Sequence, residues 1–183
     1  PNEESDLLDF LNYVFSASSR PHDFARLLPK VYARAGFSRY HFVALEEGRI
    51  RGTVALLPME LRVEEGALLR MGYVGSVSVH PYARGRGHMK QLMPLLLQEA
   101  QRQDLDILAL GGLRQRYAYF GFESGGSSLT FTIREENIRH ALGEARADGV
   151  RFRPVESARD DSLDAIYAVY RRQVMLCELP REL

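Results

Sequence analysis

The chain has 183 residues, 45% apolar and 26% charged, with 24 basic side chains balancing 24 acidic ones. That length suits one domain and part of another, and the zero net charge supplies no overall basic surface of the kind sequence-independent nucleic-acid binding needs. The one cysteine, Cys177, excludes a disulfide framework or thiolate metal cluster and fits a reducing, cytoplasmic setting, and neither a signal-peptide pattern nor an apolar run of membrane-spanning length occurs.

Apolar spacing predicts a first helix beginning near Asn2 to Ser5, with Leu7, Leu8, Leu11, Val14 and Phe15 on one face and a break at Arg20-Pro21. Asp23 is placed to cap a second helix through Phe24, Leu27, Leu28 and Val31, ended by Gly36. His41 to Leu45 and Ile50 to Leu57 read as a hairpin around Glu46-Glu47-Gly48. Leu68 to Val79 reads as a long strand whose Gly72 and Gly75 suggest a bulge or a close backbone approach.

After the loop His80 to Gly87, Met89, Leu92, Met93, Leu96, Leu97 and Ala100 give a helix face. Asp106 to Leu110 is a short strand, and Arg114 to Phe120 a helical turn running into Gly121. A strand at Leu129 to Ile133, a helix at Glu135 to Ala147, a strand at Val150 to Val155 and a helix at Ser162 to Met175 follow, with Cys177 read as helical and structural. This alternation indicates α/β or α+β. The chain opens on Pro1 and stops soon after a helical pattern, so a longer parent protein is expected.

The stretch VSVHPYARGRGHMK, Val77 to Lys90, combines a strand, a loop rich in Gly and Arg, and the start of an amphipathic helix. Such a junction aims free backbone N–H groups and the positive end of a helix dipole at one point, which suits a pyrophosphate. Gly85 and Gly87 allow close approach, and Arg84, Arg86 and Lys90 can complement an anion. No Walker string G-x-x-x-x-G-K-[ST] exists, and Lys90 stands where a dinucleotide fingerprint needs its third glycine. Taken alone, the pattern also describes a surface loop that merely caps a helix.

Val79-His80-Pro81 with Arg84-Gly85-Arg86-Gly87-His88-Met89 resembles the coenzyme A loop of the Gcn5-related N-acetyltransferase (GNAT) superfamily. Tyr117-Ala118-Tyr119-Phe120-Gly121-Phe122 resembles the superfamily's closing Y-x-x-x-G-F motif, in the right order and with a strand between. Met89, where most members carry Gly or Ala, is more similar to the two-domain bacterial branch of Eis type.

The resemblance implies a GNAT domain over residues 1–134, a mixed central sheet flanked by helices whose first strand is missing, a connecting helix at 135–149, and the start of a second GNAT-like domain at 150–183. It implies an acetyl-CoA-dependent N-acetyltransferase in which a primary amine attacks the thioester directly in a ternary complex. The amine's carrier, a small molecule or a peptide, is left open, as is an oligomer. No metal, membrane or nucleic-acid partner is implied.

Three tasks follow from that resemblance. Backbone N–H groups from Arg84, Gly85, Arg86, Gly87, His88, Met89 and Lys90 would hold the pyrophosphate. The strand residues Val77, Ser78 and Val79 would pair with the pantetheine arm, and a bulge near Val77 would free an N–H for the oxyanion. Tyr117 would protonate the departing thiolate; its phenol, with a pKa near ~10, matches a thiol leaving group. Glu60 and Glu123 are candidates for the base that deprotonates the amine. Ser76 and Ser78 lack a His/Asp partner pattern, and His22, His41, His80 and His140 lack metal-ligand spacing. A different class of function, an acyl-CoA-binding sensor or scaffold without turnover, shares the loop but has no need of Tyr117.

Overall fold

Leu7, Phe10, Leu11 and Val14 recur at helical spacing and bury one stripe of α1 (Glu3–Ser18). The structure, a computed structural model, describes residues 3–18, 20–63, 66–125, 130–143, 162–172 and 176–178. Asp23 caps the next helix by accepting a hydrogen bond from the Arg26 N–H. The single helix expected there is two short ones, α2 (Phe24–Leu27) and α3 (Pro29–Tyr32), separated by Leu28. Leu28 precedes a proline, and the proline ring pushes it out of the helical region, to φ −132° and ψ 60°. The restart turns Tyr32 into a core with Leu7, Phe10, Leu11, Phe24 and Phe37.

The hairpin strands β1 (His41–Glu46) and β2 (Arg49–Arg62) pair antiparallel, and β2 pairs antiparallel with β3 (Leu68–Val79). β2 runs past its predicted end at Leu57 because Pro58 interrupts nothing: it pairs with Gly72 of β3, while on the other side β1 stops pairing at Ala55. A proline is tolerated in a strand where its missing N–H faces no partner. Helix α4 (His88–Arg102) carries Leu92, Met93, Leu96 and Ala100 into a second core with Val54, Leu56 and Val74. β4 (Ile107–Ala109) then joins parallel to β3, giving a mixed sheet in the order β1-β2-β3-β4 with helices packed against it.

α5 (Arg114–Tyr117) continues as a 3-10 turn to Phe120, as expected, and Gly121 ends it with φ 86°. Cys177, expected in a helix, lies instead in β5 (Leu176–Glu178), which pairs with the Glu60–Arg62 end of β2. An open stretch of β2 edge beyond β1 provides that partner, a long-range pairing that a local helical pattern does not reveal. Residues 130–133 form no strand; helices α6 (Glu135–Leu142) and α7 (Leu163–Tyr170) follow. The strand expected at Val150 to Val155 lies outside the described residues, as do Leu129 and the ends of the two helices expected around α6 and α7.

Contacts divide the chain into one unit of 1–122 with 174–183 and another of 123–173. The candidate site lies in the first unit. No helix among the described residues is long and apolar enough to cross a membrane.

Candidate active site

β3 and β4 pair at only three positions, Met71 with Ile107, Gly72 with Leu108 and Tyr73 with Ala109. Beyond Tyr73, β3 runs on to Val79 with no described strand along that edge, which leaves a stretch of backbone able to accept an extended ligand as an added strand. On its other edge the register slips: Thr53 faces Ser78 and Ala55 faces Gly75, so Val54 stands opposite both Ser76 and Val77. This is a β-bulge, with Ser76 in the left-handed region at φ 52°. The bulge follows directly after Gly75 and includes Val77, near which the resemblance placed one, whereas Gly72 stays in register opposite Pro58.

The loop after β3 turns on Gly85 and Gly87, at φ 80° and 82°, and a Cβ built on either would meet no atom within 4 Å. The second of them caps α4, with no side chain satisfying its first N–H groups. The helix therefore presents free donors and the positive end of its dipole toward the loop. Arg86 does not face that space. Its guanidinium pairs with Glu46 at 2.8 Å, where Arg51 also approaches to 3.9 Å. His88 is buried; its Nε2 lies 3.2 Å from Glu46 Oε1 but is misaligned for a hydrogen bond, so the contact is one of proximity alone.

A cavity of about 1140 Å³ lies between the C-terminal half of α1, the free edge of β3, the glycine loop and the α5 turn. Arg84, Lys90 and Arg116 line it, and among the described residues no carboxylate does. Lys90 Nζ sits 5.6 Å from the centre of the Tyr119 ring, a cation–π contact at the exposed rim. Among the described residues no group of three or more His, Cys, Asp or Glu side chains is placed to hold a metal ion.

Tyr117 lines the same cavity and packs against the α4 core. Burial raises its pKa, the nearby Arg116 opposes that, and Tyr73 adds to the rise. The phenol is therefore held protonated at neutral pH. Its ring rests over Gly112, where a Cβ would come within 2.4 Å of Cε2.

Of the predicted site residues, Val77, Ser78, Val79, Arg84, Met89, Lys90 and Tyr117 line this one cavity. Gly85, Arg86, Gly87 and His88 do not contribute to its lining, although their backbone forms the adjoining turn. Glu60 pairs with Arg70 far along β2 from the bulge, and Glu123 belongs to the second unit. Sequence reasoning missed Tyr13, Phe15 and Ser18 of α1, which line the opposite wall. Phe15 belongs to the stripe read as core, and Tyr13 and Ser18 carry no local signal; only tertiary packing turns them to the cavity.

A mixed sheet split beside a bulged strand, with a glycine-turned helix start at the split, defines an acyl-CoA-type acyltransferase fold. The family model of the acetyltransferase (GNAT) domain matches residues 1–125, and the chain belongs to that family. No curated protein matches it by sequence.

Among solved structures, a predicted acetyltransferase with acetyl-CoA from Clostridium acetobutylicum is similar at 19% identity and a TM-score of 0.55, over 70% of this chain and 91% of that one. Eis1 from Mycobacterium abscessus is similar at 18% identity and a TM-score of 0.52, over 66% of this chain and 30% of that one. A GCN5-related N-acetyltransferase from Anabaena variabilis is similar at 26% identity and a TM-score of 0.52, over 66% of this chain and 29% of that one. The chain thus spans under a third of the length of the last two.

Proposed function

We propose that this protein transfers an acetyl group from acetyl-CoA to a primary amine by direct attack in a ternary complex. The observation that carries the reading is the cavity itself: among the described residues it is lined by three cations and no carboxylate, and it is set between a strand edge that no described strand pairs and a helix start without a side-chain cap. A polyanion joined to an extended amide-containing arm matches both halves of that surface. The open space around Gly85 and Gly87 suits a pyrophosphate approaching the backbone.

In this reading the free edge of β3 from Val77 to Val79 orders the pantetheine arm, and the N–H released at the bulge donates to the oxyanion. The amine nitrogen bonds to the acetyl carbon and releases a proton to solvent water, the carbon–sulfur bond breaks, the Tyr117 hydroxyl delivers its proton to the thiolate, and the phenolate is reprotonated from water. The acceptor is an amine of a small molecule or peptide, approaching from the open side of the cavity. The protein is active without a metal, and the cytoplasm is its setting.

Isothermal calorimetry with acetyl-CoA, followed by thiol release over a panel of amines, tests the reading. Saturable binding with amine-dependent thiol release is expected. Absence of binding overturns the reading; binding without release from any amine favours the sensor or scaffold.

A further inference from the structure

The bulge on β3 needs a reason to stay where it is. Ser76 sits at φ 52°, a conformation that a residue with a Cβ adopts only when its surroundings hold it there. Its side chain points to the answer. Ser76 Oγ hydrogen-bonds the hydroxyl of Tyr32, which is 3% exposed and belongs to α3 within the α1 core. The Tyr32 hydroxyl also lies 3.2 Å from His41 Nε2, and His41 Nδ1 lies 3.1 Å from the carbonyl oxygen of Phe37.

The direction of this chain follows from its far end. A carbonyl only accepts, so His41 Nδ1 carries the proton and donates to Phe37. Burial holds His41 neutral, with its pKa lowered to about 4, so Nε2 is a bare acceptor. Tyr32 therefore donates to His41, and its oxygen accepts from Ser76. The ring of Tyr32 is in turn fixed edge-on against Phe24, Phe37 and His41. Ser78 adds a second tie, its Oγ donating to the Ser76 carbonyl at 3.2 Å.

We propose that Tyr32, backed by His41, is a positioning residue for acyl transfer: it holds Ser76 in the left-handed bulge and so aims the backbone N–H that the bulge frees. Tyr32 does not line the cavity, and its effect passes through Ser76. The link to catalysis rests on the acyltransfer reading above; the clamp on the bulge does not.

The test compares wild type with Tyr32→Phe and with Tyr32→Phe/Ser76→Gly. The phenylalanine keeps the ring in its aromatic packing and removes only the hydroxyl. The glycine adopts positive φ without help and should make the clamp unnecessary. Amide hydrogen exchange at Ser76 and Val77 is read alongside steady-state thiol release.

In Tyr32→Phe those two amides should exchange about tenfold faster or more while the amides of Val54 and Val74 keep wild-type protection. Turnover should fall about tenfold to a hundredfold, less than or equal to the loss of an oxyanion donor, with KM for acetyl-CoA within about twofold. The double variant should recover most of the lost turnover. Wild-type exchange at Ser76 and Val77 in Tyr32→Phe overturns the proposal, as does a double variant no faster than the single. The exchange readout decides the clamp even if no amine tested is turned over, so it separates failure of this inference from failure of the acyltransfer reading.

Discussion

The ring of Tyr117 lies against the backbone of Gly112 so closely that a methyl group there would stand 2.4 Å from Cε2. Gly112, three residues beyond the end of β4, thus serves as the seat for the proposed acid. The side chain best able to yield is the tyrosine ring itself. Gly112→Ala is expected to lower turnover about tenfold, about 1.4 kcal/mol of transition-state stabilisation, with acetyl-CoA affinity nearly unchanged. Added to Tyr117→Phe it should cost little more, because both changes remove the same interaction. Thiol-release kinetics on the two single variants and the double variant check this; additive losses would separate Gly112 from Tyr117.

Arg84 and Arg86 are two residues apart, yet only Arg84 lines the cavity, while Arg86 is paired with Glu46. Arg84→Ala should weaken acetyl-CoA binding about tenfold or more, the scale of a lost charge-assisted contact to a phosphate. Arg86→Ala should change it by no more than about twofold, since an exposed ion pair contributes little and the backbone of the turn is retained. Calorimetric titrations at two salt concentrations distinguish the two, with the salt dependence reduced in Arg84→Ala alone.

Gly72 is enclosed on β3: a Cβ there would come within 2.6 Å of methyl carbons of both Leu108 and Leu56 and 2.8 Å of one in Leu105. Gly72→Ala should therefore overpack the α4 side of the sheet and destabilise the fold by about 1–3 kcal/mol. Urea denaturation reads this as a lower midpoint with an unchanged slope. A wild-type midpoint would mean that the three leucines repack freely.

Burial lowers the pKa of His41 from 6.5 to about 4, so the folded state favours the neutral ring. As pH falls below 6.5 the unfolded chain takes up a proton that the folded chain refuses, so stability falls with pH until about 4, where both states bind it. The full contribution is present above pH 6.5 and amounts to at most roughly 3 kcal/mol. In His41→Gln the unfolding free energy should lose this part of its slope between those limits. Parallel curves for the variant and the wild type would refute the assignment.

Much of the architecture was legible because its signals are local. The α1 stripe, the β1–β2 hairpin, the α4 face and the turn through Arg114 to Phe120 each repeat apolar residues at the period of one element, with glycine, proline or a capping aspartate at the ends. Where prediction and structure part, a distant partner intervenes. Pro58 remains in β2 because no described strand flanks that position on one side, and Cys177 joins β5 because the far end of β2 offers it an edge. Pro29 is the exception, a local signal that was present and splits the expected second helix.

The sequence by itself determined the loop and its order relative to the tyrosine motif. Glycines able to take positive φ, a helix start without a cap and an Arg-rich composition are properties of neighbouring residues, and they follow from backbone sterics and the helix dipole. Only the tertiary structure decided which charges serve the cavity, turning Arg84 and Lys90 into it and giving Arg86 to Glu46. It alone joined Tyr32 to Ser76, residues far apart in the chain, because a hydroxyl chooses its partner by where packing leaves it and not by spacing along the sequence.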